Sequence, residues 1–302
     1  MGPWAMPKKT WDSRSLGSRF QHGIFYAVIR AFGRGAAHAL LRPVVLWFVV
    51  FRPEVRRKAG HYLRRRFPGR KAWFRDTYRL FLGFGKALVD RAVLGILGPG
   101  GVAPRMDDAP RLEALLAEGR GLILVTAHVG GWQHAMWGLL HLKAPVSLLI
   151  HRDAGDVDKQ FFEHGDGAPP FTLLDPAGYL GSTLEMLQVL GAGGVLCIMG
   201  DRGMGAATLP VDFLGGPVAL PFSPYRLASA TGAPIAVVFS REVLGRSDLQ
   251  LAGIIRVPPG LGRKASAYLP YAREFSQALE RFVAEHPYQF FNFYDMWSQG
   301  TG

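Results

Sequence analysis

Short unbroken apolar runs alternate along this chain with longer stretches in which apolar residues return every three or four positions. The runs at 121–127, 146–150, 194–199, 233–241 and 249–257 predict strands, and their lack of polar alternation predicts burial on both faces. Helical spacing at 72–97, 110–118, 128–142, 182–190, 224–231 and 268–286 predicts the helices that cover them. Strand and helix taking turns predict an α/β fold with a mixed, largely parallel central sheet flanked by helices. Gly98-Pro99-Gly100-Gly101 ends the first of those helices, 151–159 is a polar loop, and 209–216 reads as an irregular connection. The closing stretch from Pro287 to Trp297 is rich in aromatic residues and is expected to cover the core, because aromatic side chains bury so much area.

The first strong strand, Leu122 to Ala127, delivers His128 to its carboxyl end, followed at once by Val129-Gly130-Gly131-Trp132-Gln133. An imidazole in that place, beside glycines that let a substrate approach, suits proton transfer. A histidine next to an apolar strand is more often a satisfied core residue, so a second group must converge on it to carry a function. One does. The run Val195 to Met199 ends in Gly200-Asp201-Arg202-Gly203, so another strand delivers a carboxylate and a guanidinium. Two strands and two polar loops predict one crevice.

Other chemistries find less support. Neither Ser223 nor Ser240 lies in a Gly-x-Ser-x-Gly elbow, so a covalent serine is not expected. Gly203-Met204-Gly205 lacks the Gly-Lys-Ser/Thr ending of a phosphate-binding loop. His134, His141, His151 and His164 have no metal-ligand spacing, and the single Cys197 excludes both an intrachain disulfide and a cysteine cluster for zinc. No metal or other cofactor is expected.

Charge changes the picture at the N-terminus. Residues 1–75 hold 17 Lys or Arg against Asp12 and Glu54, a net +15, which leaves −3 for the rest of a chain whose total is +12. The same quarter is apolar and aromatic at 25–29, 36–41 and 43–51, but Arg30, Arg34 and Arg42 interrupt it. A bilayer span wants about 20 apolar residues, and the longest clean run, Val44 to Phe51, falls short. With Arg30 and Arg34 on one helical face, a helix lying among lipid headgroups is the favoured reading; a tilted span with snorkelling arginines is the alternative. The basic residues from Arg52 to Lys71 would be drawn to an anionic membrane surface, and positive charge beside the anchor points to the cytoplasmic face. Nucleic acid is disfavoured as a partner, because the aliphatic residues between the arginines would form a large patch that lipid satisfies and a nucleic acid does not. Residues 1–70 are thus expected to be a basic amphipathic membrane-anchoring segment, and 71–302 the α/β domain.

His128-Val-Gly-Gly-Trp-Gln133, Gly200-Asp201-Arg202-Gly203, the block Val211 to Pro217, and Leu227 to Pro234 together resemble, in order and spacing, the lipid A lauroyl/myristoyl acyltransferase family of Gram-negative bacteria. The resemblance covers roughly 70–297 and extends to the basic N-terminus. It implies transfer of a fatty acyl group, from acyl carrier protein or coenzyme A, to a hydroxyl of a lipid or glycolipid such as a lipid A precursor at the inner membrane. The family pattern places an acid five positions after the histidine to orient the imidazole, which deprotonates the acceptor hydroxyl. Here that position holds Gln133, which can accept a ring N–H but supplies no negative charge to an imidazolium. Another carboxylate substitutes, the enzyme is slower, or the chain is a catalytically silent lipid-binding or assembly protein on the same fold. Asp201 is the first candidate substitute, ahead of Asp153, Asp156 and Asp158. Thioester chemistry also needs oxyanion donors, for which backbone N–H groups around Gly130 and Gly131 or the Arg202 guanidinium are candidates. Arg202 is alternatively a phosphate clamp or a salt-bridge partner. Trp132 and Gly203 flank the expected substrate crevice.

Overall fold

The structure, a computed structural model, describes residues 18–70, 73–100, 102–150, 163–164, 170–176, 182–203, 207–243 and 245–298. A six-stranded sheet forms its centre. The strands are β1 (Leu122–Thr126), β2 (Val146–Leu149), β3 (Thr172–Leu174), β4 (Val195–Met199), β7 (Ile235–Val243) and β8 (Arg246–Ile255), in the spatial order β3-β2-β4-β1-β7-β8. All neighbours run parallel except β7 and β8, which form an antiparallel hairpin at one edge. β1 and β4 are central and buried on both faces, as their unbroken apolar runs require. The expected mixed, largely parallel α/β fold is therefore the observed one.

Helices α3 (Phe74–Leu97), α4 (Ala109–Leu116), α6 (Thr183–Gly191), α7 (Ser223–Thr231) and α8 (Leu269–Glu285) fall close to their expected positions. α8 buries Ala272, Phe275, Ala278, Leu279, Phe282 and Val283, a helical stripe facing the sheet. The helix expected after His128 is shorter than its spacing suggests. It is a single turn, α5 (Trp132–Ala135), continued by a 3-10 segment at Met136–His141.

The connection at 209–216 is not irregular. It lies in an antiparallel hairpin, β5 (Thr208–Phe213) and β6 (Gly216–Pro221), joined by Leu214-Gly215. Both turn residues take positive φ, 48° and 74°. That is the two-residue turn that matches strand twist, but with leucine where asparagine or aspartate would have announced it. Leu209, Val211 and Phe213 point inward, and Ser276 of α8 donates its hydroxyl hydrogen to the Asp212 carbonyl at 2.6 Å.

The N-terminal region is a long helix, α1 (Arg19–Phe51), followed after Arg52 by α2 (Pro53–Arg66). A capping box opens α1: the Ser18 hydroxyl accepts from the Gln21 N–H while the Gln21 side chain accepts from the Ser18 N–H. Gly33, at φ 74° and ψ −172°, kinks α1 and breaks the register between Arg30 and Arg34. Ile29, Ala37, Leu41, Val45 and Val49 form a buried stripe along α1, which packs against α3. Arg34 departs from its expected role as a headgroup cation. It grips buried Asp90 of α3 with two hydrogen bonds of 2.7 and 2.8 Å and donates a third to the Gly245 carbonyl. His38 Nε2 lies 2.8 Å from the same carboxylate.

Candidate active site

Strand register decides which side chains meet at the carboxyl end of the sheet. Thr126 of β1 lies opposite Met199 of β4 in a parallel pair, so the residues two further along, His128 and Asp201, leave the sheet side by side. Gly200 continues the pairing, its N–H donating to the Thr126 carbonyl at 2.7 Å. A side chain there would clash, since a Cβ would stand 2.5 Å from Val125 Cγ1 and 2.7 Å from the ring of Phe275.

The Asp201 carboxylate holds His128 at two places. Ring Nδ1 lies 2.9 and 3.0 Å from the two carboxylate oxygens, and the backbone N–H of His128 donates to one of them at 3.2 Å. With Nδ1 engaged, Nε2 is the ring nitrogen that Asp201 does not hold. The Asp201 side chain is wholly buried, while 17% of the imidazole remains exposed, so the ring reaches the surface and its acid does not. Burial depresses the His128 pKa, assisted by the Arg202 charge and opposed by Asp201, which favours the neutral ring near neutral pH. Burial pushes the Asp201 pKa upward, but the imidazole, its hydrogen bonds and Arg202 outweigh this and hold the group below the ordinary carboxylate value. Arg202 is itself buried, and its pKa is lowered by that desolvation.

The aromatic tail is part of this site. The Gly130 N–H donates to the Gln289 carbonyl at 2.8 Å, and the Phe291 N–H to the His128 carbonyl at 2.8 Å, so the tail runs antiparallel along the histidine loop. Gln289 ties the same segment to β7 by exchanging two side-chain bonds with the Glu242 backbone, at 2.7 and 2.8 Å. Gly130 takes φ 50°, and a Cβ there would stand 2.1 Å from the Ser240 carbonyl oxygen, so glycine is required. Arg202 donates to the Phe291 carbonyl at 3.0 Å, keeps Nε 4.0 Å from Asp201 and lies over the Tyr294 ring. Trp132 sits beside the imidazole, centroids 5.3 Å apart, and contacts Phe84 and Phe291. Gly203 lets the β5–β6 hairpin approach, since a Cβ would meet Thr208 at 2.3 Å and the Ala219 carbonyl at 2.8 Å.

A histidine held by a buried acid at the end of a parallel strand, in a chain with a basic apolar N-terminus, agrees with the comparison with known families. Residues 6–299 match the bacterial lipid A biosynthesis acyltransferase family. The chain belongs to that family. Curated relatives include the phosphatidylinositol mannoside acyltransferase of Mycobacterium tuberculosis, 30% identical over 125 residues, and that of Mycolicibacterium smegmatis, 28% identical over 130. Those matches span 41% and 42% of this chain, and about two fifths of each relative's length (40% and 42%).

In this member of the acyltransferase family, the acid beside the imidazole comes from the end of β4. Gln133, at the position where the family pattern has its acid, makes no hydrogen bond through its buried Oε1. Asp153, Asp156 and Asp158 lie outside the described residues. Sequence reasoning brought together His128, Asp201, Arg202, Gly130 and Trp132, but missed Gln289 and Phe291, whose backbones hold the histidine loop. Gln289 and Asn292, polar residues interrupting an aromatic run, were the available signal that this tail does more than cover a core.

Proposed function

We propose that this protein moves a fatty acyl group from a thioester, carried by acyl carrier protein or coenzyme A, to a hydroxyl of a glycolipid at an anionic membrane surface. The single observation that carries this reading is the pairing of His128 with buried Asp201 in a chain matched to the family over nearly its whole length. His128 Nε2 accepts the proton of the acceptor hydroxyl as its oxygen attacks the thioester carbonyl. Asp201 orients the ring and stabilises the imidazolium, supplying the charge that Gln133 lacks. Collapse of the tetrahedral intermediate breaks the C–S bond, and the imidazolium returns its proton to the departing thiolate. Because the Gly130 N–H is committed to Gln289, the Gly131 N–H and the Arg202 guanidinium are the donors we assign to the oxyanion.

The family description names lipid A and the relatives are named for a phosphatidylinositol mannoside, so a hydroxyl on a glycolipid is the acceptor class. Residues 1–70 would hold the enzyme to the cytoplasmic face of the bacterial inner membrane. Among the described residues, α1 is the one helix long and apolar enough to cross a bilayer. Its buried stripe against α3 and the Arg34–Asp90 contact favour a helix lying in the surface, with Phe20, Phe32, Leu46, Trp47, Val50 and Phe51 exposed to lipid. The test is incubation of the purified protein with labelled acyl-acyl carrier protein and, separately, labelled acyl-coenzyme A, together with bacterial lipid extract. Label passing from one donor to a glycolipid is expected; no transfer from either donor contradicts the reading.

A further inference from the structure

We propose that a cavity between α2 and the C-terminal tail, lined by neither His128 nor Asp201, binds a phosphate group. His61, Arg64, Arg65, Asp295 and Trp297 line a space of about 250 Å³. His61, Arg64 and Arg65 project from the last turns of α2, where cations also complement the helix dipole. That effect explains their charge but not the seat built for Arg65. The Arg65 guanidinium lies 4.8 Å over the Trp297 ring. That indole is fixed in turn, stacked on Phe213 and donating from Nε1 to the Phe213 carbonyl at 2.8 Å. The guanidinium also occupies space left by Gly216, where a Cβ would stand 2.4 Å from Arg65 Nη1.

Arg65 is thus held in place before any ligand arrives. Among the described residues neither Arg64 nor Arg65 has a carboxylate within ion-pair distance, in contrast to Arg34 and Arg70, which pair with Asp90 and Asp76. The acid in the cavity, Asp295, stands 3.5 Å from His61 instead. Two guanidinia without carboxylates, one of them resting against an indole and a glycine, form the donor set that recognises a phosphate's oxygens in a forked geometry. The phosphate could belong to the acyl donor's carrier arm or to a lipid headgroup, and the two sources are separable by experiment.

The test is equilibrium binding of two soluble probes, coenzyme A and glycerol 3-phosphate, to the full-length protein. Binding to vesicles of phosphatidylglycerol and phosphatidylcholine is measured in parallel. Three proteins are compared: the unaltered chain, the Arg64→Ala/Arg65→Ala variant and Gly216→Ala. The glycine variant should displace the Arg65 guanidinium from its seat and leave the backbone in place. Both variants are expected to weaken one probe by about tenfold or more. Loss for coenzyme A alone assigns the site to the donor, and loss for glycerol 3-phosphate assigns it to a lipid headgroup. Unchanged binding of both probes, with or without a fall in vesicle binding, overturns the proposal and leaves these arginines as part of the general basic surface. The readout needs no turnover, so failure here is distinguishable from failure of the catalytic assignment.

Discussion

At the scale of single residues, one carboxylate does what the sequence pattern would assign elsewhere. Asp201 is fully buried, contacts ring and backbone of His128, and stands where β4 leaves the sheet. Gln133 leaves its carbonyl oxygen without a hydrogen bond. Replacing Asp201 by Asn keeps the shape and removes the charge, so turnover should fall by about 10²–10⁴-fold, the range in which loss of an orienting acid or of general-base catalysis falls. Gln133→Ala should change turnover much less. Steady-state kinetics of the two variants, each checked for an unaltered melting temperature, decides the matter; the reverse ranking rejects Asp201 as the partner. The pairing was legible because both residues end apolar runs, and parallel strands carry such residues to one edge. Their hydrogen bonding was not, since it depends on the register Thr126 to Met199, which no local pattern states.

At the scale of elements, the readable ones were those whose apolar spacing is set by packing on both sides. β1 and β4 are of that kind, and α8 was readable from the single stripe it turns to the sheet. The β5–β6 hairpin escaped because its turn pairs a leucine with a glycine, and because Pro210 and Pro217 argue against a strand interior. β3 is three residues long, too short to show a pattern. α1 was legible as a helix, but Arg34 was not legible as an internal residue, because its partner Asp90 is 56 positions away. That contact joins α1 to α3 and has a pH signature. Burial works against the Asp90 charge, yet hydrogen bonds from Arg34 and His38 prevail and depress its pKa to about 2. A carboxylate lowered in the folded state stabilises the fold above its unfolded value of about 3.9 and loses that contribution as pH falls from there toward 2. Asp90→Asn should therefore cost about 2–3 kcal/mol at neutral pH. This lies below the range for a wholly buried pair, because 27% of the Arg34 side chain is exposed. The difference from the unaltered protein should shrink in acid. Denaturant titrations at neutral and acid pH check this, and a constant difference would contradict it.

At the scale of the whole molecule, the basic N-terminal quarter is built into the fold as well as being our proposed membrane contact. Arg34 and Arg70 pair with acids, Arg66 donates to the carbonyls of Val283 and Ala284 at the end of α8, and Arg56 donates to Val49 and Val50. The contacts of Arg34, Arg66 and Arg70 fasten this region to α3 and α8, and those of Arg56 join α2 to α1. The apolar residues facing away from the α/β domain, Leu46, Trp47, Val50 and Phe51, share one exposed face. Changing all four to Ser should leave the fold intact, since none belongs to the buried stripe, and should weaken binding to anionic vesicles at high salt, where charge is screened. Cosedimentation across a salt series measures this. Undiminished binding of the variant at high salt would place the membrane contact elsewhere. Composition made the basic, apolar character of this quarter legible; which arginines turn inward could be learned only from the packing of α1 against α3.

The most direct test of the catalytic assignment is the pH dependence of kcat/KM for acyl transfer in the unaltered protein and in His128→Ala. Burial lowers the His128 pKa, so the unaltered enzyme should hold a plateau at neutral pH and lose activity as pH falls below the ordinary histidine value of about 6.5. In His128→Ala that acid limb should vanish along with about 10²–10⁴-fold or more of the rate. Transfer by His128→Ala at the unaltered rate, or with the same acid limb, would contradict the assignment of the imidazole as base.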